Sequence, residues 1–351
     1  MWLYSYLDKG INMKKIKVLF ISFICIFCTF GCGETNRQNV DWVYLTPEKP
    51  KIKIEKAIDL SGSYEISEYD RNGNRIKFEM YDKYDNLQYS SISTYDDNQN
   101  LLTEARTNNN GIKSYKKNVY DKDGNLIKEY EGDDEDSLYL CGEYKYKKGV
   151  LEKEVYYEED GSIDYIWENE YQNGLLVKET KLSNSGYVYR THEYEYDADG
   201  RKIKMTDTLY GHGSVYYYDI QGRIIREELF NEEKEITLVF ENEYGDYGIT
   251  DEYMLDSNGT VTRHTKTYYD EKGQLSKTVY VNEKGKEKVS ATWEYDAYGN
   301  MIHYWGVRGY ETTAEYNEYG YPVFKHEVCM DFLRDAGTYD ITTQFEYVYF
   351  E

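Results

Sequence analysis

Closely spaced acidic side chains are the first feature of this sequence that could do chemistry, because carboxylate oxygens are the ligands that calcium prefers. Asp121, Asp123 and Asn125 surround Gly124, and an acidic run extends from Asp133 to Asp136. A calcium loop of the EF-hand type has ligands at positions 1, 3, 5 and 12 and glycine at position 6. Here glycine follows the first aspartate by only three positions. We therefore predict solvated turns and no metal site.

Catalytic patterns are absent from the sequence. It contains no His-Glu-x-x-His metal motif, no nucleophile elbow and no phosphate-binding glycine loop. The histidines are scattered singly along the second half of the chain, at His192, His212, His264, His303 and His326. Adjacent carboxylates such as Glu158 and Glu159 do not identify a glycosidase, because the separation of the two carboxyls in space defines that reaction. We predict no catalytic residue and no cofactor.

Aromatic side chains are the remaining functional hint. The chain contains 43 tyrosines, and Trp167, Trp293 and Trp305, together with the run Tyr216, Tyr217 and Tyr218, could stack on sugar rings or on an extended peptide. Aromatic pairs across neighbouring strands also stabilise a sheet without any ligand, by roughly 0.2 to 1 kcal/mol per pair. The sequence leaves both interpretations open, a ligand platform and a purely structural ladder.

The elements that must position these residues are internal repeats. The stretch YDKDGNLIKEY begins at Tyr120, and its Tyr-Asp-x-x-Gly phrase recurs through the chain. Intact copies are Tyr69, Asp70, Gly73; Tyr120, Asp121, Gly124; Tyr196, Asp197, Gly200; Tyr218, Asp219, Gly222; Tyr269, Asp270, Gly273; and Tyr295, Asp296, Gly299. With degenerate copies they make about eleven units of about 25 residues. Weaker turn signals lie midway between them, which predicts about 22 short strands.

Each part of the phrase has a role in a chain reversal. Tyrosine ends a strand, the aspartate carboxylate accepts backbone hydrogen bonds, and glycine adopts the left-handed conformation that closes a type I turn with a bulge. Apolar residues then alternate with polar ones, as at Ile76, Phe78 and Met80. The predicted fold is all-β, an elongated, solenoid-like antiparallel meander over residues 61–320, followed by a C-terminal β cap over 321–351.

The N-terminal segment predicts export. From Met13, which we take as the true start, three lysines precede an apolar run from Val18 to Phe30, too short for a stable membrane span. Gly31 before Cys32 resembles the lipobox of bacterial lipoproteins, which implies a signal peptide over 1–31 and a diacylglycerol on Cys32. Two acyl chains suffice for stable anchoring. Ordinary secretion or an uncleaved anchor are the alternatives, and residues 32–60 are predicted to be a tether.

The net charge limits the classes of partner that we expect, and the cysteine content indicates whether a disulfide is expected. The formal net charge is −23 at pH 7, so the chain repels phosphate backbones and we exclude nucleic acid. We expect a membrane contact through the lipid alone. Beyond Cys32, the predicted mature chain has two cysteines, Cys141 and Cys329. Because many strands separate them in an extended array, we expect two unpaired thiols.

The repeated phrase resembles the YD repeat of Rhs-like (rearrangement hotspot) proteins, over most of the chain from Tyr69 to Gly320, and shorter copies such as YQNGLL resemble MORN-type repeats. In large members of the family, YD repeats form spiral β shells that enclose a toxin domain, and some members are credited with carbohydrate binding. This chain shows no cleavage segment or effector domain after the array. We therefore expect an open, curved sheet.

These observations favour a non-enzymatic binding or structural module on the bacterial cell envelope, held outside the cytoplasm by its lipid and binding a glycan or a protein. One alternative is a hydrolase that acts on glycans through a carboxylate pair. Another is an immunity-like or antitoxin-like partner of a toxin, which the repeat resemblance suggests.

Overall fold

The computed structural model describes residues 49–351, apart from 112, 308 and 330–338. A short 3-10 helix lies at Glu135–Ser137, and the remaining elements are strands. They are β1 (Ile52–Asp59), β2 (Tyr64–Tyr69), β3 (Arg75–Tyr81), β4 (Leu87–Tyr95), β5 (Leu101–Asn108), β6 (Lys113–Tyr120), β7 (Leu126–Gly132), β8 (Tyr139–Lys147), β9 (Val150–Tyr157), β10 (Ile163–Gln172), β11 (Leu175–Leu182), β12 (Val188–Tyr196), β13 (Lys202–Asp207), β14 (Gly213–Tyr218), β15 (Ile224–Phe230), β16 (Ile236–Tyr244), β17 (Ile249–Asp256), β18 (Val261–Tyr269), β19 (Leu275–Val281), β20 (Glu287–Tyr295), β21 (Met301–Gly306), β22 (Tyr310–Tyr316), β23 (Pro322–Cys329) and β24 (Tyr339–Tyr349). In the described part of the chain, no helix is long and apolar enough to cross a bilayer.

The strands form one closed antiparallel sheet. Each strand pairs with the next along the chain, and β24 pairs with β1 from Ile52 opposite Tyr349 to Asp59 opposite Thr343. The predicted all-β antiparallel meander is confirmed, with 24 described strands where about 22 were expected. The expected open sheet is wrong, because pairing β24 with β1 satisfies the backbone groups that two free edges would leave exposed.

Closure also changes two predicted boundaries. Residues 52–59 fall within the predicted tether, yet they form β1 and pair on both sides. The segment 321–351 was predicted to cap an exposed edge. Its described residues instead supply β23 and β24, the last two strands of the ring. Among the described strands, each has a partner on both sides, so no edge is left to cap.

The meander places alternate turns at opposite ends of the sheet. Turns after even-numbered strands, including every intact Tyr-Asp-x-x-Gly phrase, lie at one end, which we call the Tyr-Asp rim. Turns after odd-numbered strands lie at the other end, the far rim. β1 begins at the Tyr-Asp rim and β24 ends there. The described residues 49–51, which precede β1, therefore lie at the Tyr-Asp rim.

The two faces of the sheet differ in hydration. Desolvation is the leading cause of the raised pKa of Tyr144, Tyr156 and Tyr194, which share a face with the phrase tyrosines. On the opposite face, Tyr217 and Trp305 are 42% and 38% exposed. Because side chains converge on the concave side of a closed sheet, we assign the tyrosine face to the interior and call it the inner face.

The sheet is one layer thick and has little core. In the described residues, the buried apolar side chains are Phe230, Val239, Val279, Ala291, Ala314 and Cys329. Contacts between strands run mainly between neighbours in the meander. At about 4.8 Å per strand, 24 strands give a perimeter of about 115 Å. The inner face therefore lines an enclosed space and does not pack as a hydrophobic core.

Candidate binding face

The phrase tyrosines connect successive repeats. Most of them end an even-numbered strand and donate a hydrogen bond from the hydroxyl to the backbone carbonyl of a residue at the start of the preceding odd-numbered strand. These bonds are Tyr95 to Arg75 at 3.2 Å, Tyr120 to Leu101 at 3.0 Å, Tyr196 to Leu176 at 2.7 Å, Tyr218 to Lys202 at 2.6 Å, Tyr244 to Ile224 at 2.7 Å, Tyr269 to Ile249 at 3.2 Å, Tyr295 to Leu275 at 3.0 Å and Tyr316 to Met301 at 2.8 Å. Tyr69 ends β2 opposite Arg75. The phrase tyrosines are thus committed to structure.

The phrase aspartates cap the turns. In the first copy, Oδ1 of Asp70 accepts the backbone N–H groups of Asn72 and Asn74, at 2.8 and 2.9 Å. The same bonds occur at Asp121, Asp197, Asp219, Asp270 and Asp296. The phrase glycines, Gly73, Gly124, Gly200, Gly222, Gly273 and Gly299, have φ between 78° and 92°. These carboxylates therefore bind their own turns and offer little to a ligand.

The three predicted tryptophans do not come together. Trp167 on β10 and Trp293 on β20 lie on the inner face, about 48 Å apart along the sheet at about 4.8 Å per strand. Trp305 on β21 pairs with Thr292, points to the outer face and is 38% exposed. The three tryptophans therefore do not share one surface.

Trp167 instead belongs to a run of aromatic rings on the inner face, which we call the aromatic lane. Its first part joins Tyr144, Tyr156, Tyr165 and Trp167 on three adjacent strands, β8 to β10. The ring centroids of Tyr144 and Tyr156 are 6.1 Å apart, and those of Tyr156 and Tyr165 stack at 4.5 Å. Nζ of Lys181 on β11 lies 3.7 Å from the Tyr165 ring centroid and 5.8 Å from that of Trp167.

We include in the aromatic lane a second group of rings on β12 and β14, which lies nearer to the Tyr-Asp rim than Lys181, the partner of Arg190. Nζ of Lys202 lies 5.5 Å from the ring of Tyr194 and 5.6 Å from the ring of Tyr216. Lane residues therefore occur on each strand from β8 to β14, a width of about 29 Å at about 4.8 Å per strand. Aromatic rings occupy β8 to β10, and ammonium groups and rings then alternate from β11 to β14.

Carboxylates hold the hydroxyl groups of the aromatic lane. Tyr144 donates to Glu129, Tyr156 donates to Glu154 at 2.7 Å, and Tyr194 donates to Glu179 at 2.8 Å. Burial and these negative partners raise the pKa of all three tyrosines above the ordinary value. The hydroxyls stay protonated and keep their orientation, so the lane presents fixed apolar rings beside hydrogen-bonding groups.

A row of titratable side chains crosses the inner face beside the aromatic lane. Glu179, His192 and Asp207 lie directly opposite one another on β11, β12 and β13. Nδ1 of His192 is 2.6 Å from Glu179, and its Nε2 is buried 3.7 Å from Asp207. Burial alone would raise the pKa of Asp207, but two backbone N–H groups and Arg190 lower it below the ordinary value. Asp207 thus remains ionised and fixes the turn that follows it.

The sequence interpretation missed most of the aromatic lane. Tyr144 and Tyr194, which the sequence analysis did not name, precede a phrase tyrosine by two residues, as Tyr216 and Trp293, which it did name, also do. Because a strand has a period of two, this position shares the inner face with the phrase tyrosine. The spacing could therefore have identified these residues. Tyr156 and Tyr165 have no such relation to the phrase and required the pairing of strands.

In the described part of the chain, cysteines and metal ligands form no further candidate site. Cys141 and Cys329 are free thiols, and burial together with Glu131 and Glu129 raises the pKa of Cys141 to about 12. The thiolate is therefore scarce at neutral pH. Among the described residues, no three His, Cys, Asp or Glu side chains are placed to bind a metal ion. Cys32 and the rest of the predicted signal and tether up to residue 48 lie outside the described residues.

Comparisons with known proteins reveal similarity of fold only. No family model and no curated protein matches the chain. The Photorhabdus luminescens Tc holotoxin pore matches with a TM-score of 0.38 and 12% identity, covering 81% of this chain and 19% of that one. The TcdB2-TccC3-Cdc42 structure matches with a TM-score of 0.38 and 13% identity, covering 80% and 19%. A porin-like protein from Bacteroides uniformis matches with a TM-score of 0.23 and 8% identity, covering 85% and 98%. This chain thus spans about a fifth of the toxin chains that it resembles.

Proposed function

We propose that this protein is a non-enzymatic shell of YD-type repeats, anchored by lipid outside the cytoplasm, that binds a glycan along the aromatic lane. The observation that carries the proposal is the run of inner-face rings from Tyr144 to Tyr216 with their bound carboxylates. The side chains of the phrase residues form hydrogen bonds within the turns and between repeats. The lane residues are not part of the repeated phrase, so their rings are not needed to form the turns.

The chemistry of the aromatic lane suits a sugar better than a purely apolar ligand. Sugar rings have apolar C–H faces that stack on aromatic rings and hydroxyl edges that need hydrogen-bond partners. Trp167 and Tyr165 supply faces, while Glu154, Glu179 and the lysines Lys181 and Lys202 supply charged edges. Specific small-molecule sites combine apolar walls with a few polar groups in the same way.

Glycan binding can be tested by comparing a tryptophan variant of the inner face with a tryptophan variant of the outer face. We expect a glycan-array ligand, measured by calorimetry, to bind Trp167→Ala at least tenfold more weakly, a loss of about 1.4 kcal/mol. Trp305→Ala on the outer face is the matched control and should bind as the wild type does. Equal affinity of Trp167→Ala and wild type, or an equal loss in both variants, would contradict the proposed site. Cleavage of the bound glycan would contradict the non-enzymatic part.

The anchor is tested separately. We expect Cys32→Ala to move the protein from the membrane fraction to the soluble extracytoplasmic fraction, because the acyl chains would have no attachment point. Cys141→Ala removes a thiol elsewhere and should leave fractionation unchanged. Membrane retention of Cys32→Ala would exclude lipidation as the anchor without affecting the glycan proposal.

A further inference from the structure

Two neighbouring turns of the far rim expose a cluster of large apolar side chains. Tyr187, Val188 and Tyr189 belong to the turn between β11 and β12 and the start of β12, and Leu209 and Tyr210 belong to the turn between β13 and β14. We call these five residues the far-rim patch. Tyr187 is 65% exposed and Tyr210 is 58% exposed. Apolar residues scattered singly on a surface are ordinary, but a cluster of this kind is typical of an interaction site.

Hydrogen bonds to buried side chains fix the conformation of the two turns that carry the far-rim patch. Buried Ser183 accepts the backbone N–H of Tyr187 at 3.0 Å, and the rings of Tyr187 and Tyr189 meet edge to face at 5.4 Å. Buried Asp207 accepts the backbone N–H groups of Leu209 and Tyr210, at 3.0 and 3.3 Å. A partner would therefore lose little entropy in ordering these turns, which favours affinity.

Acidic turns flank the far-rim patch on both sides. On one side the turn between β9 and β10 carries Glu158 and Glu159, and on the other the turn between β15 and β16 carries Glu232, Glu233 and Glu235. All five glutamates are exposed and form no ion pair within the described part of the chain. Each turn lies two strands from the patch, about 10 Å away. Lys234, the cation in the second turn, donates to the carbonyl of Gly211 at 2.8 Å.

We propose that the far-rim patch docks a cationic amphipathic segment of a partner protein, with apolar side chains on the tyrosines and basic side chains over the flanking glutamates. Tyrosine is enriched among residues that dominate binding energy, and complementary charge sets partner choice and association rate. A second copy of this chain would bring acidic turns against acidic turns, and an anionic lipid surface would be repelled. On the opposite rim the described turns that expose a large apolar side chain carry one each, such as Ile220 and Tyr247, and none groups three as Tyr187, Val188 and Tyr189 do.

The probe is a labelled sixteen-residue peptide of repeated Leu-Lys-Lys-Leu, with a Leu-Glu-Glu-Leu peptide as its control, titrated with the full-length protein and followed by fluorescence anisotropy. We expect only the basic peptide to bind, and added salt to weaken it. The double variant Tyr187→Ser/Tyr210→Ser should bind at least tenfold more weakly. Glu158→Gln/Glu159→Gln should lose part of the salt dependence.

Tyr298→Ser on the opposite rim is the matched control and should bind the basic peptide as the wild type does. Thermal melts establish that each variant is folded. Equal binding by the double tyrosine variant and the wild type would overturn the proposal, since attraction to net charge alone would then explain the affinity. Self-association of the wild type that disappears in the double variant would also overturn it, in favour of a second copy as the occupant. Glycan binding at the aromatic lane is independent of every outcome.

Discussion

Each residue of the Tyr-Asp-x-x-Gly phrase meets a separate need of the backbone at the rim. The aspartate accepts N–H groups that the turn leaves without partners, the glycine supplies positive φ, and the tyrosine hydroxyl reaches a carbonyl of the preceding repeat. The degenerate copy that begins at Tyr95 keeps the geometry without glycine, because Gln99 takes that place with φ of 69°. The turn conformation thus persists where the glycine is lost, at a cost in strain.

Removal of one tyrosine hydroxyl tests the connection between repeats. Tyr244→Phe deletes the 2.7 Å bond to the Ile224 carbonyl while keeping the ring. We expect a loss of about 0.5 to 1.5 kcal/mol in the free energy of unfolding, measured by urea denaturation. Tyr298→Phe is the control, because Tyr298 is 72% exposed and its hydroxyl lies at the surface. Equal stability of the two variants would show that the bond contributes nothing.

At the scale of the hairpin, polar side chains form ion pairs on the outer face and hydrogen bonds in the turns. Direct cross-strand ion pairs occur on the outer face, such as Lys153 with Glu168 at 2.8 Å and Lys204 with Glu195 at 2.6 Å. Because both partners are substantially exposed, such pairs contribute little. The aspartate caps satisfy backbone groups at every intact phrase and are the stronger constraint on the hairpin.

These caps predict a dependence of stability on pH. Hydrogen bonds from Asn125 lower the pKa of Asp121 below its ordinary value of 3.8, and turn hydrogen bonds lower the pKa of Asp70, Asp197, Asp219 and Asp296 in spite of opposing desolvation. A folded pKa below the unfolded one gives stability that is complete above the unfolded value and is lost as pH falls through the folded one. We expect the melting temperature to fall steeply below about pH 4.

Asparagine substitutions isolate this effect. Asn282 already caps a far-rim turn with the same pair of backbone bonds, at 3.0 and 2.9 Å. The triple variant Asp70→Asn/Asp121→Asn/Asp219→Asn should therefore fold at neutral pH. Acidification should lower its melting temperature less than it lowers that of the wild type. An unchanged acid transition would assign it to other carboxylates whose pKa is lowered in the folded state, such as Glu143 and Glu152.

At the scale of the whole molecule, stability depends on closure of the ring. With so few buried apolar side chains, the sheet gains little from a hydrophobic core and depends on complete backbone pairing. β24 supplies partners to β1 and β23 at once. If that strand is lost, two edges are exposed, and exposed edges promote aggregation.

Proline in the closing strand tests this dependence. Gln344 pairs with Ile58 on one side and Phe324 on the other, so Gln344→Pro removes a ladder hydrogen bond and distorts the seam. We expect a melting temperature lowered by at least several degrees and aggregates in size-exclusion chromatography. Lys122→Pro is the control, because it places proline at the second position of a type I turn, where its φ fits. A monomeric Gln344→Pro variant with unchanged stability would show that the seam is dispensable.

The sequence by itself determined the local structure: tyrosine, aspartate and glycine at fixed spacing specify a chain reversal, because turn chemistry acts within five residues. Repetition of that phrase then determined an antiparallel meander of short strands. Only the tertiary structure decided that the sheet closes, because Ile58 and Gln344 must meet although 286 residues separate them. Closure in turn decided which face is enclosed, while the register of neighbouring strands gathered Tyr144, Tyr165 and Trp167 into one lane and placed Trp305 on the opposite face. Strand register and sheet curvature together determine which side chains share a surface. Both build up over the whole ring, so no short stretch of sequence determines the result.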